Sequence, residues 1–271
     1  MIKLVAIDMD GTLLNDDKTL PQANISAIRQ VAESGVKVVL CTGRQRSGIL
    51  PYLEALGLGT EREYVILNNG CLIYQTDDWQ ALDRQTLSYS EMKVLAQVAE
   101  AYSDVDVTFI EDNHYYSLGD EVPQLVKEDA ELVFDTPIAT SIEAMRNRTV
   151  YKVMYMANPQ ALDQFQKSVE QVLSKDFSLV RSQTYLYEAL PKGITKASGL
   201  ATLCQRLNIT ADEVMAIGDA ANDVEMLDFA KYSVAMGNAS QTIKNQCRYV
   251  TKTNNEAGVA HALNHWVLEQ D

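Results

Sequence analysis

The stretch Leu4-Val5-Ala6-Ile7-Asp8-Met9-Asp10-Gly11-Thr12 decides how the rest of the chain is read. Four apolar residues ending in acid and glycine predict a strand buried on both faces, Leu4 to Asp8, that delivers carboxylates to the end of a sheet. Two aspartates in one turn repel, so each favours a cation or a shared proton. The pair suits a hard metal ion, which takes oxygen ligands, and carboxylate attack at a phosphate.

Working outward, the first third alternates strands and helices. Pro21 to Ser34 carries apolar residues at Ile25, Ile28 and Val31 and stops at Gly35, the pattern of a helix. Val36 to Cys41 predicts a second buried strand, Ser47 to Leu56 a helix with Pro51 near its start or at a kink, and Tyr64 to Leu67 a third strand closed by Asn68-Asn69-Gly70. The last third resumes the rhythm. Lys196 to Leu207 is helical, Val214 to Ile217 a strand, Val224 to Ala230 a helix and Ser233 to Met236 a strand; a short strand near Tyr249 and a helix over Ala257 to Leu268 follow. Such alternation means a parallel sheet covered on both faces.

The middle differs. Strands with alternating polarity are expected at Asp106 to Ile110, His114 to Leu118, Val150 to Met156, Phe177 to Arg181 and Tyr185 to Leu190, with two or three helices between them. One of those helices opens on the capping box Ser88-Tyr89-Ser90-Glu91. The expectation is an α/β protein. Residues 1–82 and 191–271 form a doubly wound parallel-sheet core, and 83–190 an inserted α+β cap domain.

The 271 residues suffice for two such domains. A net charge of −14 argues against nucleic acid and anionic membrane as partners, and an anionic substrate would need local positive charge. The four cysteines, Cys41, Cys71, Cys204 and Cys247, form no CxxC pair and read as reduced thiols. No apolar run reaches membrane-spanning length, and Asp8 breaks the first run too early for a signal peptide, so a cytoplasmic location is expected. Nothing marks an oligomer interface. His114, His261 and His265 lack a Ser or Cys partner pattern, which argues against a triad.

Three further polar clusters follow strands or open a helix: Thr42-Gly43-Arg44, Thr195-Lys196, and Gly218-Asp219-Ala220-Ala221-Asn222-Asp223. If the strands take the doubly wound order 3-2-1-4-5, the order reverses beside the first strand. Ligands bind at the carboxyl ends of the strands there, so Asp8, Asp10, Thr42 and Asp219 would face one crevice.

The set DxDGT, TGR, a lone Lys and GDxxND resembles the haloacid dehalogenase superfamily in its phosphatase branch. The segments Glu188-Ala189-Leu190-Pro191-Lys192-Gly193-Ile194-Thr195-Lys196 and Ala235-Met236-Gly237-Asn238-Ala239 are similar to its Cof-type subfamily. The resemblance covers the whole chain. It implies a Rossmann-like core, a large α/β cap between the second and third motifs, and a magnesium-dependent phosphatase of sugar phosphates or other small phosphorylated metabolites. One departure is Ala197, where that subfamily usually has Gly.

Asp8 is then the candidate nucleophile, forming an aspartyl phosphate. By resemblance Asp10 is the general acid for the leaving alcohol, then the base for the attacking water. Mg²⁺ would take Asp8, the Asp10 backbone carbonyl and Asp219 as its protein ligands, with Asp223 behind them. Thr42, the Gly43 amide and Lys196 would hold phosphate, and Asn222 the phosphate or its loop. Arg44 would meet substrate or brace its loop, and Asn69-Gly70 by resemblance touch substrate. Arg181 and Glu188 are the cap residues to test for specificity. A phosphomutase on the same scaffold, or a non-catalytic phosphate-sensing regulator, are the competing readings.

Overall fold

A computed structural model describes residues 1–59 and 63–269. The chain divides into two compact units, one of residues 1–43, 51–83 and 195–271, the other of 44–50 and 84–194.

In the first unit, β1 (Leu4–Ile7) is followed by α1 (Gln22–Glu33), β2 (Lys37–Cys41), α2 (Leu50–Leu56) and β3 (Tyr64–Leu67). β4 (Leu72–Gln75) and β5 (Ala81–Arg84) then extend the sheet, β4 pairing antiparallel with β3. Pro51 sits in the first turn of α2, where its missing N–H costs nothing.

The second unit is a six-stranded sheet. Its strands are β6 (Asp106–Ile110), β7 (Tyr115–Leu118), β8 (Ile138–Thr140), β9 (Lys152–Met156), β10 (Phe177–Gln183) and β11 (Leu186–Pro191), in the order β10-β11-β9-β6-β7-β8. Neighbours pair antiparallel, apart from the parallel β7–β8 edge. The helices α3 (Tyr89–Gln97), α4 (Gln124–Leu132) and α5 (Pro159–Leu173) complete it. One sheet face packs Phe109, Tyr155 and Tyr187 against Leu95 of α3 and Phe165 of α5. The other packs Ile110, Tyr115 and Met154 against Val126 and Ala130 of α4. Ser88 accepts from the Glu91 amide and Glu91 returns the bond, so the predicted capping box forms.

The chain then returns to the first unit with α6 (Lys196–Leu207), β12 (Val214–Gly218), α7 (Val224–Phe229), β13 (Tyr232–Ala235), α8 (Gln241–Gln246), β14 (Tyr249–Val250) and α9 (Gly258–Leu263). Residues Asn264–Leu268 continue α9 as a wider π-wound turn, in which Trp266 stacks on Tyr249 at 4.5 Å between ring centroids. The sheet order is β14-β13-β12-β1-β2-β3-β4-β5, and from β14 to β3 every pairing is parallel. The assumed 3-2-1-4-5 order is therefore present, lengthened at both ends. β1 lies centrally with all four residues buried, as its apolar run requires. By the pleat, Leu4 and Ala6 face α6 and α7, where Leu200, Leu203 and Met226 pack, while Val5 and Ile7 face the opposite layer. There α1, amphipathic with Ala27, Ile28 and Val31 inward, packs beside α9. No described helix is long and apolar enough to cross a membrane.

Candidate active site

β1, β2 and β12 are adjacent and parallel, so their carboxyl ends open on one edge of the sheet. The strand order reverses between β1 and β12, and there the two layers of connections part and leave a crevice. Asp8 follows β1, Thr42 follows β2 and Asp219 follows β12.

The centre of the site is a buried lysine between two carboxylates. Lys196 Nζ donates to Asp8 Oδ1 and, at 2.7 Å, to Asp223 Oδ1. All three side chains are at most 6% exposed. Lys196 is held there by its place in the helix. Thr195 caps α6, accepting from the Ser198 amide at 3.3 Å while Ser198 Oγ accepts from the Thr195 amide at 2.9 Å. Gly70, with φ +104°, lets the turn after β3 meet this helix start; a side chain there would strike the Thr195 carbonyl. Ala197 is a partly exposed residue of the same first helical turn.

Asp223 uses its other oxygen to accept from the amides of Asp219, at 3.0 Å, and Ala220, at 3.1 Å. It therefore closes the Gly218–Asp223 loop and braces Lys196 with the same carboxylate. Asp219 accepts from Thr12 Oγ1 at 2.8 Å. Gly11 lies against it with φ +79°, and a Cβ at Gly11 would fall 2.5 Å from Asp219 Oδ2. Only glycine allows that approach in that conformation.

Electrostatics follow from this crowding. Burial raises the Asp8 pKa well above the ordinary carboxylate value, and Asp223 adds to it, although Lys196 opposes the shift. Asp219 is pushed up to about 6 by burial and by Asp223. For Lys196 burial disfavours the ammonium, but Asp223 and Asp8 outweigh it and the pKa rises. Three carboxylates thus share one ammonium, a surplus of negative charge with little water to solvate it.

A divalent cation would offset that surplus. Asp8, Asp219 and Asp223 offer oxygens that all lie within 4.8 Å of one another. This all-oxygen donor set is the kind that hard cations select. Asp223 accepts three hydrogen bonds, one from Lys196 and two from amides of its own loop, so Asp8 and Asp219 have the greater ligating capacity.

The remaining predicted residues divide. The Asn69 amide donates to the Thr42 carbonyl at 3.0 Å, and Asn222 Nδ2 approaches Asn69 Oδ1 at 3.4 Å, so these three join the rim with Gly43 beside Asn69. The Asp10 carboxylate is 25% exposed and pairs with Lys18 Nζ at 2.8 Å, and its charge still acts on Asp219. Arg44 donates to the carbonyls of Gly48 at 3.1 Å and Leu132 at 3.2 Å. Arg181 is likewise tied to Gln166, Asp163 and the Gln183 carbonyl, and Glu188 forms a buried ion pair with Lys152 at 2.7 Å.

Sequence reading missed Thr12, Lys18 and Lys152. Thr12 stood inside the DxDGT motif and could have been assigned from it. The other two lysines carry no local signal, since only the fold pairs them.

The chain matches the family model described as haloacid dehalogenase-like hydrolase over residues 5–263. It is 32% identical to the 5-amino-6-(5-phospho-D-ribitylamino)uracil phosphatase YcsE of Bacillus subtilis, over 98% of this chain and 96% of that one. A haloacid dehalogenase-like hydrolase from Bacteroides thetaiotaomicron superposes with a TM-score of 0.88 at 28% identity, covering 97% of this chain and 99% of the other. The subclass IIB sugar phosphatase BT4131 shares the fold, with a TM-score of 0.83 at 23% identity over 97% and 98% of the two chains.

Proposed function

Since the chain belongs to the haloacid dehalogenase-like hydrolase family, and to its phosphatases, we propose that it is a Mg²⁺-dependent, cytoplasmic phosphoric monoester hydrolase of small phosphorylated metabolites, sugar phosphates first among them. The observation that carries this reading is the buried Asp8–Lys196–Asp223 constellation with Asp219 alongside, at the strand-order reversal.

Asp8 Oδ forms a bond to phosphorus as the ester P–O bond breaks, giving an aspartyl phosphate. Asp10, whose Oδ1 accepts from Lys18, carries a proton on Oδ2 when substrate binds and gives it to the departing alkoxide oxygen. It then takes a proton from the water whose oxygen attacks phosphorus and releases Asp8, so each group ends as it began. Lys196, Thr42 and the Gly43 amide hold phosphoryl oxygens. Asp8, the Asp10 carbonyl and Asp219 would hold the Mg²⁺. When bound, it supplies positive charge to the phosphoryl oxygens and relieves their repulsion from Asp8. Lys18 orients the Asp10 carboxylate.

The substrate class is read from relatives acting on phosphorylated sugars or sugar alcohols. Phosphate release from a panel of pentose, hexose and ribityl phosphates, nucleotides and a phosphopeptide tests it. The expected ranking puts sugar or ribityl phosphates first. Preference for the phosphopeptide would overturn the substrate class, and turnover unaffected by chelator would overturn the cation requirement.

A further inference from the structure

The segment Ala235-Met236-Gly237-Asn238-Ala239 stood out in the sequence without acquiring a role. The structure gives Asn238 one: we propose that it is a positioning residue for the cation site, setting the spacing between the Asp10–Thr12 turn and the Asp219 carboxylate. The inference rests on the reading of Asp8, the Asp10 carbonyl and Asp219 as ligands.

Asn238 Nδ2 donates to the Gly11 carbonyl at 2.8 Å and approaches Asp219 Oδ2 at 3.4 Å. Its Oδ1 accepts the Asn254 amide at 3.1 Å. Both ends of the side-chain amide are therefore used, and its orientation follows from its partners. Asn254 is buried and is itself fixed to the opening loop. Its Nδ2 donates to the Leu14 carbonyl at 3.1 Å and to Asp16 Oδ1 at 2.9 Å. Asn255 adds two bonds, donating to Asp16 Oδ2 at 2.8 Å and accepting the Asp16 amide at 3.1 Å.

The loop after β14 is thus fastened to residues 11–16, and Asn238 is the side chain through which it reaches Asp219. Thr12 holds the opposite Asp219 oxygen, so the carboxylate is gripped from two sides. The Gly11 carbonyl is one peptide from the Asp10 carbonyl, so fixing the first limits where the second can point. Side chains that orient ligands in this way affect metal affinity about 10- to 100-fold.

Asn238 is exposed, and its removal opens no cavity in the core. The test is calorimetric titration of Mg²⁺ into the metal-free protein without substrate, for the native chain, Asn238→Ala, Asn238→Leu and the control Asp219→Asn. Asn238→Leu keeps the size of the side chain while removing its hydrogen bonds. The expected result is Mg²⁺ binding weakened about 10- to 100-fold in both Asn238 variants, with the melting temperature of the metal-free protein close to native. In turnover, the Mg²⁺ concentration at half-maximal rate rises, and kcat returns toward native at saturating Mg²⁺. Native Mg²⁺ affinity in either folded Asn238 variant overturns the inference alone. Absence of Mg²⁺ binding by the native chain overturns the underlying cation site instead.

Discussion

Lys196 concentrates the physics of the site in one side chain. It is the ammonium between Asp8 and Asp223, and all three are nearly inaccessible to water. Lys196→Met would leave two carboxylates buried without their counter-ion, which costs about 3–5 kcal/mol. Chemical denaturation should show that loss, and added Mg²⁺ should recover part of it by replacing the missing charge. Asp219 yields a pH dependence. Its pKa in the folded protein, about 6, lies above the ordinary carboxylate value of about 4. Between those values the folded chain keeps a proton that the unfolded chain has lost. Stability from this group is greatest at the acid end and falls as pH rises through the window, while Mg²⁺ must displace the same proton to bind. Mg²⁺ affinity measured from about pH 5 to pH 7.5 should therefore climb with pH, Asp219 contributing up to about tenfold per unit below about pH 6. At this scale Asp8, Thr42, Lys196, Asp219 and Asp223 were legible because polar residues directly after apolar strands, or at a helix start, are conspicuous. Asn238 was not, because its partners Gly11 and Asp219 lie 227 and 19 residues away.

Elements add a layer that residue types alone do not reveal. α1 reads as an ordinary amphipathic helix, yet its inner face carries Asn24, fully buried. Its Nδ2 donates to the Leu13 carbonyl at 2.9 Å and its Oδ1 accepts the Ala260 amide at 2.9 Å, so one side chain fastens the opening loop to α9. Asn24→Ala would strand both backbone groups, at about 1–3 kcal/mol for each. A fall in unfolding free energy of that size, together with faster amide exchange in residues 11–16, is the expected outcome. Sequence periodicity recovered β3 and α6 to their end residues, since both are long or apolar enough to stand out. It missed β4 and β5, which follow a left-handed Asn68-Asn69 turn that reads as a loop. It also missed β8, three residues with no buried position. The terminal helix, expected from Ala257, begins at Gly258 because Ala257 takes a left-handed conformation, and it ends in a π-wound turn around the Tyr249–Trp266 stack.

For the molecule as a whole, the doubly wound core and inserted α+β cap could be read from the change in rhythm between the outer thirds and the middle. Parallel strands need helical crossovers, while antiparallel strands need only short turns. The site at the reversal follows from that order, which periodicity does not encode and which had to be assumed. The net charge of −14 sharpens the functional account, because an acidic chain attracts a phosphate ester only where local cations concentrate. Lys196 is too deeply committed to Asp8 and Asp223 to supply that charge by itself. The central claim is that Asp8 attacks phosphorus in a cation-dependent reaction. It is tested most directly by aryl phosphate hydrolysis by the native chain and Asp8→Asn, each with Mg²⁺ and with chelator, after matched melting curves confirm folding. The account predicts Mg²⁺-dependent turnover that falls by about 10³-fold or more in Asp8→Asn. Turnover by a folded Asp8→Asn within about tenfold of native would contradict it.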